Sequence, residues 1–235
     1  MSFITTMVNV FGGSWFNRKK LPDLNSKQWL EAIQFYVDLL KKYGPPHSEE
    51  NGYQENLNLF ANGHCGVWID ATVAGGYLLN PATSKVSASV KFSKAPSMYQ
   101  KQGGHWLWTW ALGVPNSSKL KDLAKEFIFW ATSKPYLALV TEKEGWLMAP
   151  PGTRNSLYES EDYRKAAPFS AFVRTEIESA IPIGALDEWG APVRGPQFVA
   201  IPEYTALGTT TGINIALALK GDITVKQAMQ KSQQE

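Results

Sequence analysis

The segment at residues 103–115 constrains this chain more than any other stretch, because it places three tryptophans at alternate positions. Trp106, Trp108 and Trp110 fall at i, i+2 and i+4 in the run GGHWLWTWALGVP. In an extended strand this spacing puts all three indoles on one face. A buried indole N–H needs a hydrogen-bond partner, so a row of indoles is an unusual filling for a core. We therefore interpret Trp106 and Trp108 as ligand-contacting residues, whereas Trp110 fits a buried strand and a ligand surface equally well.

The chemistry of this segment favours a sugar or a polyol as the ligand. Large aromatic faces next to the Gly103-Gly104 pair suit a ring or chain that has apolar C–H faces and an edge of hydroxyl groups. The segment is therefore the first candidate for a binding surface.

A second candidate is Asp70, which ends a predicted strand at residues 64–70. In that run Cys65, Val67 and Ile69 alternate with Trp68 and Asp70. A helix-like run, ATVAGGYLL, follows at once. The Asp70 carboxylate could act as the N-cap of that helix or accept hydrogen bonds from ligand hydroxyls, and the sequence supports both roles equally.

The remaining candidates lie in two predicted loops. Trp15 falls in the turn-rich run FGGSWFNRKKLPDL, where it reads as an exposed aromatic residue. Trp146 and Arg154 belong to residues 145–154, a loop stiffened by Pro150 and Pro151. Arg154 is either a structural residue that anchors this loop or a rigidly held guanidinium group that donates hydrogen bonds to ligand oxygens.

Helical periodicity occupies much of the remaining sequence. Helices are predicted after Asn25 or Ser26 up to Lys42 and Tyr43, at 53–61, after Asn116 or Ser117 up to about 131, and from Pro135 to Val140. Further helical patterns cover 157–166, 168–180, 202–219 and the segment beginning at Thr224, and a strand is predicted at 86–92.

Composition narrows the class of partner. Of 235 residues, 44% are hydrophobic and 19% charged, and the formal net charge is +2, so the chain is globular and lacks the basic stripe of a nucleic-acid-binding protein.

The sequence has no pattern of metal ligands. His47, His64 and His105 are not spaced, with one another or with Cys65, as metal ligands are, so no metal and no cofactor are expected. Cys65 is the sole cysteine and fits a packed thiol. Residues 1–16 do not read as a signal peptide.

Six ordered blocks carry a resemblance to a known family. They are SKQWLEAIQFYVDLLKKYGPP, LNLFANGHCGVWIDATVAG, WLWTWALGVPNSSKLKDLAKEFIFWATSK, GWLMAPPGTRNSLY, GPQFVAIPEY and ALKGDITVKQAMQKSQ. Together they resemble the extracytoplasmic solute-binding proteins of sugar-importing ABC transporters, and within these the sorbitol- and mannitol-binding group.

The resemblance implies an α/β, periplasmic-binding-protein-like fold of type II, of which this chain matches mainly the C-terminal lobe. It implies that residues 1–111 belong to the second lobe and end in the hinge strand. Residues 112–155 would cross the hinge and supply first-lobe helices, and 156–235 would return to the second lobe. Most of the first lobe would be missing, which would leave the apolar face of Leu120, Leu123, Phe127 and Trp130 without its cover. Such a face predicts either rearranged packing or a homodimer that swaps or shares these helices.

The function expected from the resemblance is non-enzymatic capture of a linear polyol or monosaccharide for a membrane permease, in the periplasm or an equivalent extracytoplasmic space. Trp15, Trp106 and Trp108 would be apolar platforms, Asp70 a hydroxyl acceptor and Arg154 a hydroxyl donor, with Trp146 as a further candidate. A carbohydrate-active hydrolase would use similar aromatic residues but needs two working carboxyl groups. A non-catalytic carbohydrate interaction module is a third reading.

Overall fold

The computed structural model describes residues 1–17, 19–99, 107–152, 154–180, 199 and 201–235. These residues divide into two compact units. Unit 1 comprises Met1–Glu55, Lys94–Leu107 and Ala180–Glu235, and unit 2 comprises Asn56–Ser93 and Trp108–Ser179. The boundaries differ from the lobe boundaries expected from the sequence, and the assignment of residues to lobes stays a prediction.

Helices dominate the described residues. In chain order they are α1 (Ser2–Val10), α2 (Lys27–Tyr43), α3 (Tyr53–Ala61), α4 (Ala74–Leu79), α5 (Lys121–Ala131), α6 (Lys134–Glu144), a 3-10 helix (Trp146–Met148), α7 (Asn155–Glu159), α8 (Glu161–Ala166), α9 (Ser170–Ser179), α10 (Tyr204–Lys220) and α11 (Val225–Gln234). In the described part of the chain, no helix is long and apolar enough to cross a bilayer.

Unit 1 is built around helix α2, which packs against α1, α10 and α11. The helical spacing in α2 predicts an inward stripe, and Trp29, Ile33 and Val37 of that stripe are buried. Tyr36 and Leu40 pack against the same core while remaining partly exposed. The indole Nε1–H of Trp29 donates to the carbonyl oxygen of Ser14 at 2.8 Å, which satisfies its polar group inside the core.

The ends of the helices in unit 1 follow local sequence signals. Helix α10 ends at Gly221, whose φ of +93° is a left-handed conformation that glycine adopts without steric penalty. Helix α11 begins with a capping box, in which the Thr224 hydroxyl accepts from the Gln227 N–H and the Gln227 side chain accepts from the Thr224 N–H.

Unit 2 contains two apolar clusters. One joins Leu57, Ala61, Ala74 and Leu78 from helices α3 and α4. The other is centred on Tyr158, Tyr163, Phe169 and Val173 and includes partly buried side chains of the 3-10 helix. Helices α6, α8 and α4 each contact that 3-10 helix.

The predicted strands are not seen among the described residues. Residues 64–70 and 107–115 form no β-ladder with any other described residue, and 86–89 form a turn in which the Ser89 N–H bonds the Val86 carbonyl oxygen at 2.9 Å. The described part of the chain contains a single isolated bridge, between Phe16 and Pro22. A strand exists only when another strand pairs with it, so alternation within one segment was an insufficient signal. The helical part of the predicted α/β class is confirmed.

Candidate functional site

Trp108 and Trp110 form an exposed aromatic pair in unit 2. Their ring centroids lie 5.6 Å apart at an interplanar angle of 63°, so the two indoles lie side by side, as the i, i+2 spacing predicts. Trp108 is 48% exposed and Trp110 is 86% exposed. Of the two interpretations left open for Trp110, the buried strand is wrong, because nothing in the described residues covers its indole. The other interpretation left open for Trp110, a ligand surface, stays a prediction.

Asp70 lies in an exposed segment of unit 2 and does not cap helix α4. Its Oδ1 accepts from the N–H of Ala71 at 2.7 Å. The N-cap position of α4 belongs to Val73, whose side chain makes no capping hydrogen bond. The predicted capping role is therefore wrong, since the chain makes one further turn between Asp70 and the helix.

The electrostatic setting of Asp70 bears on its second predicted role. Partial burial of the carboxyl group raises the pKa of Asp70 above its usual range, and the hydrogen bond from the Ala71 N–H opposes that rise. One carboxylate oxygen has a backbone partner, and a carboxylate can accept at both oxygens. The geometry is compatible with a hydroxyl acceptor, which stays a prediction.

Arg154 holds its loop to the end of helix α5. Its Nε donates to the carbonyl oxygen of Thr132 at 3.0 Å, and its Nη2 donates to the same oxygen. Thr132 is the C-cap residue of α5, where carbonyl groups lack helical partners. The sequence left two roles open for Arg154, and this contact corresponds to the structural one, in which Arg154 anchors its loop.

The same loop has a second anchor. The N–H of Gly152, at a φ of +87°, donates to the hydroxyl oxygen of Tyr158 in helix α7. This contact gives the Tyr158 hydroxyl a partner inside an otherwise apolar cluster. The C-terminal end of the loop is thus held at two neighbouring positions, Gly152 and Arg154.

Trp146 lies at the start of the 3-10 helix, directly after Gly145, whose φ is +86°. Its side chain is partly buried and packs against the cluster that contains Tyr163 and Phe169. Trp146 thus contacts the core of unit 2. A contact between Trp146 and a ligand stays a prediction.

Trp15 is buried in unit 1, with 5% of its surface exposed. Its Nε1–H donates to Thr5 Oγ1 at 3.1 Å, and its ring makes edge contacts with Trp29 at 5.3 Å and Tyr204 at 5.2 Å. The interpretation of Trp15 as an exposed loop aromatic is wrong, because α1, α2 and α10 close around it. Its role as a ligand platform has no support in this packing.

The structure therefore separates the predicted site residues. It describes Asp70, Trp108, Trp146 and Arg154 in unit 2 and Trp15 in unit 1. Trp106 lies outside the described residues, as do Gly103 and Gly104. Within the described ranges, no group of three His, Cys, Asp or Glu side chains could hold a metal ion.

Comparison with known proteins decides the family. The model of the family described as bacterial extracellular solute-binding protein matches residues 1–138, which is more than half of the chain. The chain belongs to this family. The predicted resemblance to solute-binding proteins is thereby confirmed.

Relatives within the family bind polyols. A mannitol-binding protein of Pseudomonas aeruginosa is 42% identical over 236 residues, which cover 100% of this chain and 53% of that protein. An ABC transporter solute-binding protein from Agrobacterium vitis S4, solved with bound D-mannitol, is 47% identical at a TM-score of 0.92, over 99% of this chain and 56% of that one. The chain thus spans about half the length of these relatives.

A more distant structure shows that the fold extends beyond close sequence similarity. A ribitol complex of a solute-binding protein from Agrobacterium radiobacter K84 is 22% identical, with a TM-score of 0.77 over 98% of this chain and 54% of that one. At this identity the likeness concerns the fold alone.

Proposed function

We propose that this chain is the substrate-binding component, or part of it, of an ABC importer for a linear polyol such as mannitol or sorbitol. The observation that carries the proposal is the 47% identity and TM-score of 0.92 to a solute-binding protein with bound D-mannitol. The mannitol-binding relative from Pseudomonas aeruginosa supports the same ligand class.

The exposed Trp108 and Trp110 pair is the feature of this chain that best suits such a ligand. A polyol chain has C–H groups that pack on an aromatic face and hydroxyl groups that need hydrogen-bond partners. The pair supplies two adjacent indoles, and each indole also carries one N–H donor. We propose Trp108 and Trp110 as contacts for the polyol, with Trp106, Trp146, Asp70 and Arg154 as further candidates from the sequence.

The wider biological setting is also proposed. We infer that the fold corresponds to the type II class, represented mainly by the C-terminal lobe, and that the protein works outside the cytoplasm with membrane permease subunits. The proposed role is non-catalytic. A second copy of the chain is a further proposed partner.

Ligand binding tests the proposal directly. We expect D-mannitol and sorbitol at millimolar concentrations to raise the melting temperature, because a ligand that binds the native state stabilises it. Intrinsic fluorescence should change on the same titration, and the change should shrink in Trp108→Ala and Trp110→Ala. Tyr43→Ala is the matched control, because Tyr43 is 71% exposed but lies in unit 1.

Two outcomes would count against the proposal. If neither polyol changes the melting temperature or the fluorescence while maltose or another sugar does, the ligand class is wrong. Release of nitrophenol from nitrophenyl glycosides would instead favour the carbohydrate-active hydrolase, because a binding protein forms no product. Unchanged titrations in both tryptophan variants would move the contacts elsewhere.

A further inference from the structure

Two adjacent glycines, Gly75 and Gly76, lie where helix α4 packs into unit 2. A Cβ added at Gly75 would meet the ring of Phe169 at 2.6 to 2.9 Å. A Cβ added at Gly76 would lie 2.7 Å from the carbonyl oxygen of Leu147 in the 3-10 helix. Ordinary contacts of a Cβ begin at 3.4 Å. Both positions therefore exclude a side chain as long as α4 keeps its place.

The close approach at Gly76 involves a backbone atom, which is a stronger constraint than a side chain. The carbonyl oxygen of Leu147 moves only when the 3-10 helix moves, and helices α6 and α8 also contact that helix. An alanine at position 76 must therefore push α4 and the 3-10 helix apart. Reaching ordinary contact requires a separation of about 0.7 Å.

Helix α4 carries Asp70 through a short series of hydrogen bonds. The Asp70 Oδ1 accepts from the Ala71 N–H at 2.7 Å. The Ala71 carbonyl oxygen accepts from the N–H of Ala74, the first residue of α4, at 3.2 Å. The Gly75 N–H donates to the Thr72 carbonyl oxygen at 3.0 Å. The carboxyl group of Asp70 therefore follows any displacement of α4.

The other side of the contact carries Trp146. Trp146 directly precedes Leu147, and its carbonyl oxygen accepts from the Ala149 N–H at 3.1 Å within the 3-10 turn. The approach of Gly76 to Leu147 therefore joins two segments that each hold a candidate ligand residue, Asp70 on one side and Trp146 on the other.

Helix α4 is held between the two apolar clusters of unit 2. Its residues Ala74 and Leu78 belong to the cluster that contains Leu57. Its last residue, Leu79, packs against the cluster that contains Phe169. Because both sides of the helix are packed, the residues at positions 75 and 76 determine how near α4 comes to the 3-10 helix.

We propose that Gly76, together with Gly75, is a positioning residue for polyol binding: it sets the distance between the segments that carry Asp70 and Trp146. The inference rests on the proposed function, because it concerns the same polyol site. The groups of a binding site must be held within roughly 0.5 Å of their productive geometry. The separation that an alanine at position 76 imposes is larger than this. A polyol that contacts both segments then loses contacts with one of them.

Titration of the tryptophan indole N–H resonances with D-mannitol tests this role, because nuclear magnetic resonance measures dissociation constants into the millimolar range. We expect Gly76→Ala to raise the dissociation constant roughly tenfold or more, the effect of losing one hydrogen bond to a charged group. Gly66→Ala is the matched control. Gly66 lies in unit 2 shortly before Asp70, and a Cβ there has no atom within 4 Å. Its dissociation constant should equal that of the wild type.

A rescue experiment separates position from stability, and it decides the matter if Gly76→Ala does not fold. Gly75→Ala should weaken mannitol binding several-fold, because the Phe169 ring pushes against α4. The double variant G75A/F169L should regain most of the affinity, because the smaller side chain makes room. Val173→Ala removes buried methyl groups from the same cluster without crowding α4. It should lower the melting temperature and leave the dissociation constant unchanged.

Three results would overturn the inference. The first is an equal dissociation constant for the wild type, G76A and G75A. The second is an equal loss of affinity in V173A, because affinity would then follow stability and not the position of α4. The third is a wild type that binds no mannitol, which would overturn the proposed function and the role of Gly76 with it. Mannitol binding by the wild type therefore distinguishes failure of this inference from failure of the proposed function.

Discussion

At the scale of single residues, two of the candidate site residues, Arg154 and Asp70, already make hydrogen bonds to backbone groups in the absence of a ligand. Arg154 donates two N–H groups to one carbonyl oxygen at the end of α5, and Asp70 Oδ1 accepts from the Ala71 N–H. These contacts fix side-chain positions without using all the hydrogen-bonding capacity of either group. A residue of this kind can serve both the fold and a ligand, so substitutions must separate the two roles.

The Asp70→Asn variant separates the structural role of this residue from its proposed role in ligand binding. Asparagine keeps an oxygen that can accept from the Ala71 N–H, so the fold should be preserved. Because partial burial raises the pKa of Asp70, the folded state disfavours the charged form. The carboxylate therefore makes folding less favourable as the pH rises from below the unfolded-state pKa of about 3.9 through the folded-state pKa. We expect Asp70→Asn to leave the free energy of unfolding at pH 7 unchanged or slightly higher.

Affinity should respond differently if Asp70 accepts ligand hydroxyls. Loss of a hydrogen bond to a charged group would weaken D-mannitol binding by about 1 to 3 kcal/mol. Denaturant unfolding at several pH values and a mannitol titration measure the two effects. A fall in stability with no change in affinity would show that Asp70 is only structural.

At the scale of elements, the helices were predictable and the site segments were not. Ser26 and Gly44 bracket α2, and Thr224 with Gln227 caps α11, because capping and termination depend on residues within a few positions. The N-terminal helix α1 was missed, since Thr5, Thr6 and Asn9 obscure its apolar pattern and are buried all the same. Helix formation is local, and its sequence signals are local too.

The tryptophan segment shows the opposite case. The alternation of Trp108 and Trp110 correctly predicted neighbouring indoles. It could not predict the absence of a ladder across the described residues 107–115, because pairing depends on residues far away in the sequence. Trp15 was misread for the same reason: its burial depends on Tyr204, which is 189 positions later in the sequence.

Helix α4 offers a test of packing between elements. A Cβ added at Gly75 would meet the ring of Phe169 at 2.6 to 2.9 Å, and Phe169 is buried. Alanine improves helix propensity by up to about 1 kcal/mol, but overpacking costs about 1 to 3 kcal/mol. Since the ring is held within its cluster, we expect Gly75→Ala to lower the free energy of unfolding by roughly 1 kcal/mol or more.

The control is Gly113→Ala, because a Cβ at Gly113 has no atom within 4 Å. That variant should unfold like the wild type. A second variant, Gly75→Ala with Phe169→Leu, should recover part of the loss relative to Phe169→Leu alone, because the smaller side chain makes room. Equal stability of G75A and G113A in thermal unfolding would show that the ring moves aside freely.

At the scale of the whole molecule, the decisive fact is the share of its relatives that the chain matches. It covers 53% of the Pseudomonas mannitol-binding protein and 56% of the mannitol-bound Agrobacterium vitis structure. Small-molecule sites usually bury most of the ligand surface. The residues of those relatives that have no counterpart in this chain can supply contacts that the 235 residues do not.

We therefore expect the 235-residue chain to bind D-mannitol more weakly than the Pseudomonas relative does. Each hydrogen bond to a ligand hydroxyl contributes only about 0.5 to 1.5 kcal/mol net, but several bonds together with the associated burial amount to on the order of 4 to 6 kcal/mol. That difference corresponds to roughly three to four decades in the dissociation constant. Calorimetry on both proteins under the same conditions measures it.

The oligomeric state must be controlled in that comparison, because Leu123, Phe127 and Trp130 of α5 are exposed and a second copy of the chain is a proposed partner. Titrating a Leu123→Glu variant beside the wild type separates self-association from ligand binding. If self-association leaves the ligand contacts untouched, both should bind D-mannitol with the same weak affinity. An affinity in the variant equal to that of the full-length relative would contradict the prediction, and it would mean that the residues present here, including Trp108 and Trp110, make all the contacts that matter.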